Sequence, residues 1–141
     1  MSQDRESDGE PAGEVYDWYT RAIELLEGGN PEAAAALLSH ARAREPESAS
    51  VLEALARASF DARRYREAAG LFADLADSSP DNDYAHFGIG LSRMRLGDHA
   101  GAIDELAMAA AMRPGRKDYG QALREARATI RFREQDAETD A

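Results

Sequence analysis

RYREAAGLF, residues 64–72, places two adjacent alanines and a glycine between a tyrosine and a phenylalanine. Counting back 34 residues gives NPEAAAALL (30–38), and counting forward 34 gives DHAGAIDEL (98–106). Ala34, Ala68 and Ala102 fall in register, as do Leu38, Phe72 and Leu106, and Pro46, Pro80 and Pro114 keep the same beat. A fixed period of this size is the mark of a stacked helical repeat array. The alternation has a packing meaning. A methyl side chain lets two helices cross closely, and the large residue one turn later fills the space that opens beyond the crossing.

Each period reads helix, tight turn, helix. The spacing predicts helices at about 15–27 and 31–44, then 49–62 and 65–78, then 82–96 and 99–112. Gly28-Gly29 ends the first helix and Gly97 ends the fifth, because glycine enters left-handed backbone at little cost. The matching turn in the second period has Arg63 and Arg64 and so is expected to be strained. Asn30 is expected to cap the second helix with Pro31 in its first turn, and Asp98 to start the sixth. The three prolines close each unit, since proline cannot continue a helix. Tyr119, Leu123, Ala126 and Ile130 recur at helical spacing and predict a seventh helix over about 116–132, covering the apolar face of the last pair. The fold class expected is all-α.

Composition narrows the function. The chain has 141 residues, 43% of them hydrophobic and 31% charged, which suits one globular domain. Its net charge of −10 is concentrated at the ends, with five acids against Arg5 in residues 1–14 and four against Arg133 in 133–141. Both ends are expected to be acidic disordered tails. No basic surface suited to nucleic acid stands out, and no apolar run is long enough to insert in a membrane. There is no cysteine, hence no disulfide framework or thiolate chemistry. With no apolar secretion signal at the N-terminus, a cytoplasmic location is expected.

Catalytic patterns are absent. His40, His86 and His99 are far apart, and no HExxH, Walker-type or GxSxG motif occurs, so no metal or cofactor is expected. Gly88-Ile89-Gly90 sits inside a helix and reads as close helix packing, while Asp81-Asn82-Asp83 reads as helix capping rather than a calcium loop. The chain is not expected to be an enzyme.

The pattern resembles the tetratricopeptide repeat, with three copies over residues 15–48, 49–82 and 83–116 and a capping helix at 116–132. Trp18, Leu25, Gly29, Ala34, Leu38, Ala41 and Pro46 carry it in the first copy. Leu52, Leu55, Ala56, Tyr65, Ala68, Phe72 and Pro80 carry it in the second, and Ile89, Gly90, Gly97, Ala102, Leu106, Ala109 and Pro114 in the third. Arg21, Leu75 and His86 depart from it. The resemblance implies a right-handed superhelical array of three antiparallel helix pairs, with a seventh helix, acting as a protein–protein adaptor or scaffold. The first helices of such pairs line a concave groove.

By resemblance, the partner-binding positions are Tyr16, Tyr19, Leu26, Arg57, Phe60, Tyr84, Phe87, Met94 and Arg95, an apolar and aromatic surface. It suits a hydrophobic or amphipathic segment of another protein. The positions that grip a C-terminal carboxylate in one subset of the family hold Tyr19, Ile23, Ala54, Tyr84 and Gly88 here, so that mode is not expected. The alternative is a structural homo-oligomer that buries the groove or an end face against a second copy.

Overall fold

The computed structural model describes residues 9–140. Its order is α1 (Val15–Glu27), α2 (Pro31–Arg44), α3 (Ala49–Asp61), α4 (Tyr65–Ser78), α5 (Asp83–Arg95), α6 (His99–Met112) and α7 (Lys117–Asp140), with no strand among the described residues. The fold is an all-α helical repeat, as the period predicts. Each proline stands two residues past a second helix, Pro46 after α2, Pro80 after α4 and Pro114 after α6.

The three turns inside the pairs share one hydrogen-bond pattern. Asn30 N–H donates to the Leu25 carbonyl at 2.8 Å, Arg64 to Ser59 at 2.8 Å and Asp98 to Arg93 at 2.9 Å. The residue before each donor is left-handed: Gly29 at φ 79°, Arg63 at φ 65° and Gly97 at φ 87°. This is the Schellman closure of a helix. Arg63 adopts it without a glycine, so the strain expected of this turn is there. Caps begin the following helices less uniformly. Ser48, Asn82 and Asp98 accept from the backbone N–H groups of Val51, Ala85 and Gly101. Asn30, expected to cap α2, makes no such side-chain bond; its backbone carbonyl accepts from Ala34 instead.

The chain divides into two compact units, one ending at Arg64 and one beginning at Tyr65. In the first, α2 packs on α1 and α3. Trp18, only 1% exposed, anchors it with Ala41 and Val51. Residues 9–14 were expected to be tail, but they fold over Trp18 (residues 1–8 lie outside the described residues). The Trp18 indole N–H donates to the Ala12 carbonyl at 3.1 Å. Arg44 makes a two-pronged bond to Glu10, at 3.1 and 3.0 Å, and lies over the indole ring. A buried indole N–H needs an acceptor, and the segment supplies it.

In the second unit α5 packs against α4 and α6, and α7 against α6 and α5. Two glycines on α5 set the approach. A Cβ at Gly88 would fall 2.5 Å from the Phe72 ring, and one at Gly90 would fall 2.6 Å from Leu106 Cγ. Gly90 therefore serves close packing, as its place inside a helix implies. The cluster of Ala102, Leu106, Ala122 and Ala126, flanked by Ile103 and Leu123, shows α7 covering the last pair.

The C-terminal end differs from its expectation. Residues 133–140 were read as disordered tail, yet α7 continues through them as helix. At Arg131 the register calls for the left-handed turn made at Gly29, Arg63 and Gly97. Here the turn is not made, and a run free of proline and glycine keeps the helix going. Residues 131–139 are exposed.

Candidate protein-binding site

In the first unit the candidate residues lie on α1 and α3. Tyr16 is 77% exposed, and Arg57 is exposed. Tyr19 and Phe60 are half-buried, Tyr19 against the Trp18 cluster. Leu26 is a correction. It is only 7% exposed and belongs to the interior, one turn beyond buried Ala22 on the inner side of α1.

In the second unit Tyr84, Phe87, Met94 and Arg95 share a face of α5, and the structure brings the first three into one apolar surface. Tyr84 meets Phe72 edge-on at 5.8 Å between ring centres and Phe87 at 6.3 Å. Phe87 in turn lies 4.5 Å from the Tyr119 ring. Phe87, Leu91 and Met94 pack on the cluster under α7, so each presents one side and rests on the core with the other. Arg95, exposed, extends its guanidinium over the Tyr65 ring at 5.9 Å. A row of half-buried aromatics ending in a cation offers contact area at low conformational cost.

Two polar locks beside this face had no counterpart in the sequence reading. The buried Tyr119 hydroxyl donates to Asp83 Oδ2 at 2.7 Å, and Arg113 approaches the same carboxylate at 3.5 Å. The Arg116 guanidinium lies over the Tyr119 ring at 4.6 Å. Burial, followed by the Asp83 bond, pushes the phenol well above its ordinary range. The second lock is His86. Its Nδ1 lies 2.8 Å from Glu105 and its Nε2 3.2 Å from the Pro80 carbonyl. Both neighbours are acceptors, so only the imidazolium donates to both. Partial burial alone would lower the His86 pKa, but the Glu105 and Pro80 bonds and the charges of Glu105 and Asp83 outweigh it and raise it. The signal was 19 residues of separation between His86 and Glu105, which no short motif marks.

Among the described residues no group of three metal-ligating side chains forms, and no helix is long and apolar enough to cross a membrane.

The tetratricopeptide repeat family matches residues 19–82 and 53–117, which together cover most of the chain. The chain belongs to the tetratricopeptide repeat family. Similar solved structures agree on the fold. The first TPR domain of human RPAP3 is 13% identical, with a TM-score of 0.79 over 86% of this chain and 95% of that one. The second TPR domain of human RPAP3, solved in complex with an HSP70 peptide, is 18% identical, with a TM-score of 0.75 over 80% and 94%. MamA (AMB-1) is 22% identical, with a TM-score of 0.73 over 88% and 68%. No curated protein matches the chain in sequence. Tetratricopeptide repeat domains are generally non-catalytic protein–protein interaction modules, and protein–protein interaction is the coarse function of this one.

Proposed function

We propose that the chain is a non-catalytic adaptor whose first-helix faces bind a hydrophobic or amphipathic segment of another protein, in a cytoplasmic setting. The observation that carries this reading is the α5 face. There Tyr84, Phe87 and Met94 rest on the core but keep an open side, and Arg95 stands beside them. Tyr16, Tyr19, Arg57 and Phe60 are the corresponding candidates of the first unit. Nothing at Tyr19, Ile23, Ala54, Tyr84 or Gly88 offers the cations and amides that hold a terminal carboxylate, so the partner is engaged through its side chains rather than its C-terminus.

Affinity capture from native lysate tests the reading, with wild type beside Tyr16→Glu/Arg57→Glu/Arg95→Glu. All three residues are exposed, so the variant is expected to keep its helicity. A protein enriched by wild type and lost with the folded variant is the expected result. Equal recovery by both would move binding off these faces.

A further inference from the structure

One side of α7 carries a ridge of exposed charge, whose Glu134 also borders the α5–α6 turn at Gly97–Ala100. Arg124, Arg127 and Arg131 are followed at the same three- and four-residue spacing by Glu134 and Glu138, so all five lie along one side of the helix. All five are exposed, and among the described residues none is in an ion pair with another side chain.

The repeat register says what this side is for. Counting back 34 residues, Gly120, Arg124 and Arg127 correspond to His86, Gly90 and Arg93 of α5. Those three are the residues with which α5 receives its own second helix. His86 meets Glu105 of α6 at 2.8 Å, Arg93 meets the same carboxylate at 3.8 Å, and Gly90 lies beneath Leu106. The ridge on α7 is thus the side on which a first helix takes an antiparallel partner bearing carboxylates. At Arg131, where the chain would turn to provide that partner, α7 runs straight on. It reaches 24 residues against 13 for α5.

We propose that this side of α7 is a docking surface for the α7 helix of a second copy of the chain, paired antiparallel about a two-fold axis near residues 132–133. In that register Arg127 faces Glu138 of the second copy and Arg131 faces Glu134, and the symmetry repeats both pairs. The charge order along the ridge, basic then acidic, is self-complementary in this direction alone. A parallel pair would set like charges side by side. The carboxylates on the ridge itself, with Glu125 close by, disfavour a polyanion such as nucleic acid as occupant. This inference is independent of the first-helix faces and uses none of their residues.

Ion pairs in solvent are weak and sensitive to salt, so a weak dimer is expected at low ionic strength, weakened about tenfold or more in about 0.5 M sodium chloride. Sedimentation equilibrium of the full chain is the test. Wild type should dimerise, while Arg127→Glu/Arg131→Glu and Glu134→Arg/Glu138→Arg, each with charges of one sign at the four paired positions, should be monomers. An equimolar mixture of the two variants should form a heterodimer at least as tight as the wild-type dimer. Wild type that stays monomeric to millimolar concentration overturns the proposal. So does a mixture that does not associate, or a dimer that either variant preserves by itself. Monomeric wild type that binds a short single-stranded oligonucleotide through the same arginines would reassign the ridge and also overturn it.

Discussion

Arg63 shows how far a repeat pattern constrains a single residue. The turn geometry is copied from Gly29 and Gly97, down to the hydrogen bonds that close the helix, so Arg63 must hold a left-handed φ of 65° that its Cβ opposes. Left-handed backbone costs a residue with a Cβ roughly 1–2 kcal/mol, and glycine in the unfolded chain gives back roughly 0.5–1 kcal/mol in entropy. Arg63→Gly should therefore stabilise the chain by about 0.5–1 kcal/mol, measured as a higher urea midpoint with an unchanged slope. A neutral or negative effect would mean that Arg63 gains elsewhere what its backbone loses. The reverse logic holds at Gly88 and Gly90, where the backbone is ordinary helix and the neighbour, not φ, demands glycine. The turn was legible from the sequence because a missing glycine in a series of glycines is visible. The Phe72 ring over Gly88 was not, since the 34-residue spacing gives which positions are small and large but not which helix each one meets.

At the scale of an element, α7 is two helices in one. Its first half is held by apolar contact at Ala122 and Ala126 and by the Tyr119 bond to Asp83 on α5. Its second half buries no side chain: residues 131–139 are exposed, and Arg133, Glu134 and Ala137 only border the turn at Gly97–Ala100. Isolated helix of that length is marginal in water, so its persistence rests on continuation from the packed half. Tyr119→Phe keeps the ring against Phe87 and removes only the hydroxyl, leaving Asp83 with Arg113 as its remaining partner. The expected cost is about 0.5–2 kcal/mol, the range for a hydrogen bond to a charged group that stays partly solvated. Thermal unfolding followed by circular dichroism checks it, and a loss above about 4 kcal/mol would mean that the hydroxyl organises more of α7 than this one bond.

For the whole molecule, the His86 lock couples stability to pH. The folded-state pKa is raised above its ordinary value of 6.5. The stabilisation it contributes is therefore fully present below about pH 6.5 and is lost as pH rises through the raised value, because the neutral ring can no longer donate to both Glu105 and the Pro80 carbonyl. Wild type should lose melting temperature between about pH 6 and pH 8.5 by more than His86→Gln does over the same interval. Parallel curves for the two proteins would show that other groups set the dependence. The charge of −10 leaves the chain far from neutrality throughout that range, so the comparison is made in solution conditions that keep it dispersed.

Periodicity determined the first six helices, the turns inside their pairs and the packed alanines, because each of these is a local property repeated three times and repetition separates it from noise. Composition alone excluded thiol and disulfide chemistry. Only the tertiary structure decided the rest. Leu26 could be taken from the binding surface because burial depends on what lies across from a helix, not along it. Glu10, Ala12 and Arg44 became a fold over Trp18 because a buried indole N–H needs an acceptor that the sequence does not point to. The acidic end of α7 turned out helical because a packed first half propagates into it, and that made its carboxylates and arginines a single ordered ridge.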